Sequence, residues 1–143
     1  MWTEPGGYLQ ITDVNYRSWN WMTATGDTKP PETVKLYELA GQIFGGYHQW
    51  QWLEDMDGTF RGAGLQDVNS RRVKAKPSTR QPNMMNWMLS MLEAGYALSN
   101  HPTMNQHAEA LLEQRNKAVK EARELGVGMD LCVTRCVGRK ASQ

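Results

Sequence analysis

Apolar positions along the chain predict helix in four stretches and alternate in three others. Pro31-Glu32 suits a helix start, since proline fits the first turn and glutamate the positive end of the helix dipole. The stripe that follows is Leu36, Ala40 and Ile43, with Tyr37 and Phe44 beside it, and Gly45-Gly46 ends it. A second short helical stretch is predicted from Tyr47 to about Asp55, carrying Tyr47, Trp50 and Leu53. Residues 83–99 are apolar or small almost all round, which predicts a helix buried on most sides. The last helix is expected to take Thr103 as its N-cap and Gly126 as its stop. Its stripe is Met104, Ala108, Leu111, Ala118, Ala122 and Leu125, with Arg115 as the one polar intrusion and Glu113–Lys117 as an outer-face pair. Leu9-Gln10-Ile11, the aromatic run Tyr16 to Met22 and the segment Asp130 to Val137 alternate as strands do.

These elements predict a mainly α fold: a small bundle of three to four helices in a single domain over residues 1–143. Within it, 1–30 form an irregular or short-strand N-terminal arm and 31–56 the first helices. A basic loop or hairpin occupies 57–82, a helical hairpin 83–125 and an extended C-terminal tail 126–143. The tryptophans of the Tyr16–Met22 run are expected to pack onto the domain. Met84, Met88, Met91, Leu111, Ala118 and Leu125 are the expected core or oligomer-packing positions.

Composition narrows the class. The chain has 143 residues, 40% hydrophobic and 22% charged, which is globular and enough for one core. No apolar run approaches the ~18 residues of a membrane span. Met1-Trp2-Thr3-Glu4-Pro5-Gly6-Gly7 has neither a basic start nor an apolar stretch, so no secretory leader, a cytoplasmic setting and no membrane partner are expected. The net charge of +1 hides an asymmetry. Residues 1–60 carry three basic against eight acidic side chains (−5), and residues 61–143 carry thirteen against seven (+6). Such halves favour head-to-tail association of copies, attachment of the basic half to an anion, or mutual neutralisation within the fold.

Candidate chemistry is sparse. Asp55-Met56-Asp57-Gly58-Thr59-Phe60 resembles the first motif of haloacid-dehalogenase phosphatases, whose first Asp attacks phosphorus. That motif must end a buried parallel strand, and Gln49 to Glu54 does not read as one, so an acidic turn after a helix is expected. Read as a calcium loop, the string fails, because counting back from Gly58 puts Leu53 first and Gly64 last. Cys132 and Cys136 have a spacing that zinc sites use but no second close pair to complete one, lie too far apart on a strand for a disulfide, and are expected to be buried free thiols. His101 and His107 are expected to serve local hydrogen bonds, and His48 stands alone. No catalytic residue, metal or cofactor is expected, and the chain is not expected to be an enzyme. The basic segment 71–80 is different. Arg71, Arg72, Lys74, Lys76 and Arg80, on an irregular arm, would meet phosphates or an acidic protein surface, or would form a solvated loop. No aromatic residue interleaves with them, so stacking on single strands is not expected from this segment.

Three stretches carry a resemblance to a known family. Glu32 to Ala40, running on to Trp50 and Trp52, is similar to the first core helix and following aromatic segment of the head-to-tail connector (adaptor) proteins of tailed bacteriophages. Met85 to Leu98, ending in Tyr96-Ala97-Leu98, resembles their central helix, and Ala108 to Leu125 their final one. The match covers about half the chain; residues 1–30 have no counterpart and the 57–82 insertion is unusually basic. The resemblance implies a virion component assembled in the host cytoplasm. It would be a homo-oligomeric ring between portal and tail proteins that lines the DNA passage. The alternative from the residues themselves is a small nucleic-acid-binding or host-regulating protein, using 71–80 on phosphates with non-specific DNA contact.

Overall fold

The computed structural model describes residues 4–26, 29–45 and 52–142, with the backbone alone at 15–18. In chain order its elements are β1 (Tyr8–Met22), α1 (Pro31–Ile43), α2 (Met56–Gly62), β2 (Leu65–Lys74), α3 (Arg80–Ser99), α4 (Ala108–Leu125) and β3 (Gly128–Lys140). Single 3-10 turns at Pro77–Thr79 and Asn105–His107 lead into α3 and α4. The expectation of a mainly α bundle is overturned. Among the described residues, strands of 15, 10 and 13 residues form one sheet in the order β1–β3–β2, and the fold is mixed α/β. The basic segment is no irregular arm: residues 71–74 complete β2 and Arg80 opens α3. An edge strand that sends only Leu65 and Val68 toward a core leaves almost no apolar alternation to read. The short helix expected over Tyr47 to Asp55 falls mostly outside the described residues.

The chain divides into two compact units, and β1 and β3 each run through both. The helical unit comprises residues 20–46 and 76–130, with α1 and α3 both packed on α4. Leu36, Ala40, Met84, Trp87, Met88, Leu98, Leu111 and Ala118 are buried in it. Gly95 allows the close approach of α3 and α4, since a Cβ there would overlap the Leu112 side chain. Trp21 packs edge-on against Tyr37 and lies tilted against Trp87. Proline fills the first position of α1, whose flank offers no side-chain cap. The cap comes from α4 instead. Buried Glu121 accepts hydrogen bonds from the backbone N–H of Glu32 (2.9 Å) and of Thr33 (2.8 Å) and from the Thr33 hydroxyl (2.9 Å). Gly126, in the left-handed region at φ 62°, terminates α4.

Three expectations about these helices are corrected. α3 is not buried on most sides: Met85, Leu89 and Tyr96 are 65%, 52% and 60% exposed, and Met91 is half-buried. Leu125 ends α4 with 41% exposure and leaves the core stripe. α4 begins at Ala108, with His107 in the cap position, because Thr103 and Met104 lie in the turn before it.

The sheet unit comprises residues 1–19, 47–75 and 131–143. α2 packs on β2, and Leu53, Met56, Phe60 and Cys136 form the core, flanked by Leu9, Ile11, Trp52, Leu65 and Val68. A Cβ at Gly138 would come within 2.9 Å of the Phe60 ring, so glycine lets that ring lie on the sheet. The acidic string is a helix start, where a turn after a helix was expected. Asp55 accepts from the Gly58 N–H at 2.9 Å and caps α2, and the positive end of the helix dipole favours its charge.

Candidate anion-binding face

The face of the sheet opposite α2 carries the least expected grouping of side chains, and a bulge puts it there. β2 and β3 pair antiparallel, Gln66 opposite Arg139 and then Asn69 opposite Val137. Three steps on β2 thus answer two on β3. The extra residue resets the alternation of β2, because side-chain direction has a period of two. Leu65 and Val68 both turn to the core, while Gln66, Asn69, Arg71 and Val73 turn to the open face. Asp67 sits in the bulge with φ 51°, a conformation aspartate tolerates better than most residues, and its carboxylate pairs with Arg139 at 2.8 Å.

Directly paired residues share a face, so Arg71 and Arg135 stand side by side on it. Like charges in cross-strand register destabilise a sheet. Gln10 of β1 accepts a hydrogen bond from the Arg135 guanidinium at 2.8 Å, which fixes that fork. The Arg71 side chain makes no hydrogen bond or ion pair among the described residues. Asn69, Arg71, Arg135 and Val137 line a depression of about 230 Å³. That volume lies below the range of drug-sized pockets and suits a single small group. The rest of the face is Tyr8, Gln10 and Thr12 from β1, Val133 and Arg139 from β3 and Gln66 and Val73 from β2. The acidic side chain of the bulge, Asp67, is taken up by Arg139. Two guanidinium forks without a carboxylate between them can grip a tetrahedral oxyanion bidentately.

The five predicted cations are therefore not one patch. Only Arg71 lies on this face. Arg72 and Lys74 pair with Thr134 and Cys132 and so belong to the other face, where the Arg72 guanidinium donates to the Glu54 carbonyl at 3.2 Å. Lys76 is exposed beyond the strand. Arg80 belongs to the helical unit, where it forks onto buried Asp130 with bonds of 2.6 and 3.2 Å. That hydrogen bonding raises the Arg80 pKa above its ordinary value. Arg135, Gln10 and Tyr8 are the members that sequence reasoning missed.

The cysteines and the described histidines lie elsewhere. Cys136 is fully buried, and burial, followed by the nearby Asp57 carboxylate, pushes its thiol pKa up; Cys132 is half-buried. His101 bonds Thr103 and His107 approaches Gln106, both locally, while His48 lies outside the described residues. Among the described residues, no three His, Cys, Asp or Glu side chains stand together as a metal-holding group. Comparison of the chain with models of protein families, with curated proteins and with solved structures found no match.

Proposed function

We propose that the protein binds the phosphate groups of a nucleic acid on the open face of its sheet. The observation that carries this reading is the cross-strand Arg71–Arg135 pair at the depression. A pair that weakens the sheet when empty gains a purpose when an anion lies between its two guanidinium groups. The edge position of β2 explains charges such as Arg72 and Lys74 as guards against edge-to-edge pairing. It does not explain two arginines facing each other within the sheet. Phosphate contacts of this kind position a strand without reading its sequence. The test is binding of a labelled oligonucleotide across a salt series by the parent and by R71Q/R135Q. The parent is expected to weaken with salt. The double variant is expected to bind more weakly with a shallower slope, by about 0.7 to 0.9 for each phosphate it no longer neutralises. Equal affinity and equal slope would overturn the reading.

A second reading, a subunit of a connector-like homo-oligomer, is favoured by α3. Met85, Leu89, half-buried Leu92 and Tyr96 follow one another at steps of four, three and four, the spacing of a coiled-coil seam. Glu93 is the one charged residue between 81 and 100, so two copies of this helix would bring few like charges together. Sedimentation of the parent and of M85K/L89K tests it. Association that the variant abolishes supports it, and a concentration-independent monomer removes it.

A further inference from the structure

From the composition of the open face around the arginine pair, we infer that its ligand is a single-stranded nucleic acid, with Tyr8 as the platform on which a base stacks. The inference rests on the phosphate-binding reading above and adds what distinguishes a single strand from a duplex.

Tyr8 begins β1 and is 67% exposed, unusually open for a tyrosine in a sheet. Its face is fixed by the strand. Leu9 and Ile11 pack on the α2 side, so Tyr8, Gln10 and Thr12 alternate to the opposite one. The Lys140 N–H donates to the Gly7 carbonyl, and the Gly6 N–H to the Lys140 carbonyl, which sets Tyr8 beside Arg139 on the same face. From there the Arg71–Arg135 pair is four residues along β3, about 13 Å at strand rise, and one or two strands across. An aromatic ring and a two-arginine clamp thus lie, both exposed, on one face of the sheet in one unit.

What lies between them is suited to unpaired bases. Gln10, Gln66 and Asn69 are exposed, and their amides both donate and accept, as base edges do. Val137 is half-buried and gives the stretch between ring and clamp a low apolar floor, which Val133 continues beyond the pair. A duplex keeps its base faces stacked inside and offers this surface only its phosphates. A single strand offers phosphates to the arginines and a π face to Tyr8 together, which is how sheet and groove surfaces hold single strands without strict sequence preference. The aromatic partner that segment 71–80 lacks in sequence is supplied from the far end of the chain.

The experiment compares a short labelled oligothymidylate, the matching oligouridylate, and the duplex of the first with oligoadenylate, each titrated into full-length parent, Y8L, Y8F and R71Q/R135Q. Circular dichroism first establishes that each variant keeps the parent's spectrum; Tyr8 contributes little buried area, so it is expected to. The parent is expected to prefer the single strands. Y8L is expected to weaken them about tenfold, the scale of one base–aromatic stack. Y8F retains parent affinity, and duplex binding by Y8L is unchanged. The DNA and RNA arms show which sugar is preferred. A parent that binds duplex as well as single strand, or a Y8L that binds single strands as the parent does, overturns the inference. If R71Q/R135Q still loses affinity in that case, the phosphate reading stands without it. If R71Q/R135Q also binds like the parent, both fall.

Discussion

The two units treat their charges in opposite ways. In the helical unit, charged groups at or near the core are matched. Glu121 caps α1 with both carboxylate oxygens, Arg80 forks onto Asp130, and the Arg115 Nε donates to the Met88 carbonyl at 3.1 Å. Gln114 adds bonds to the Glu32 carbonyl and carboxylate. On the open face of the sheet unit, two arginines share one cross-strand position, and the Arg71 side chain has no hydrogen bond or ion pair among the described residues. The first pattern is that of a scaffold, in which a buried charge is held by the hydrogen bonds that replace those it lost to water. The second is that of a surface kept ready for something else, since burial and pairing do not account for it. Charge by itself does not mark function; the state of its partners does.

The most disruptive break of this contrast is in the helical core. L111D/A118D places two carboxylates where both parent side chains are fully buried. Each unpaired buried charge costs several kcal/mol, so loss of the cooperative thermal transition is expected in calorimetry. Retention of the parent midpoint would show that the stripe does not hold the unit together.

Next is the tertiary cap. E121A strands two backbone N–H groups and the Thr33 hydroxyl, and a loss of about 2–3 kcal/mol is expected in denaturant titration. A change under ~0.5 kcal/mol would mean that water replaces the carboxylate there without penalty.

Arg71 sharpens the comparison in the other direction. R71T removes one of two like charges and puts a good strand former at the edge. Stability is expected to hold or to rise by about 0.2–0.5 kcal/mol in the same titration. A fall of more than ~1 kcal/mol would make Arg71 a structural residue and erase the distinction drawn between the units.

Much of the helical unit was legible from the chain. Pro31, Gly126 and the Leu111–Ala118 stripe act locally, so their spacing announces where helices begin, end and face. The sheet was not. β2 is an edge strand whose polar side chains outnumber its apolar ones, and the bulge at Asp67 breaks its alternation in the middle. The Glu121 cap joins residues 88 and 89 positions apart, and the Arg71–Arg135 pair is non-local too. Reading 71–80 as one basic run grouped residues by sequence that the fold sends to two faces and two units. Exposure of α3 was missed because an apolar helix face reads the same whether its own chain or another covers it.

The smallest expected effect is chemical. Cys136, buried and with its thiol pKa pushed up by that burial, is expected to stay unmodified by a thiol reagent at mildly alkaline pH while half-buried Cys132 reacts. Mass mapping after brief exposure checks this; equal labelling would show the sheet core opening freely.

The central claim, that the open sheet face and not the helical unit receives nucleic acid, is tested most directly by chemical-shift mapping of the isotope-labelled protein as oligothymidylate is added. The account predicts that the perturbed signals fall on Tyr8, Gln10, Asn69, Arg71, Arg135 and Val137, with α1 and α4 unmoved. Perturbations confined to the helical unit, or none on either arginine at saturation, would contradict it.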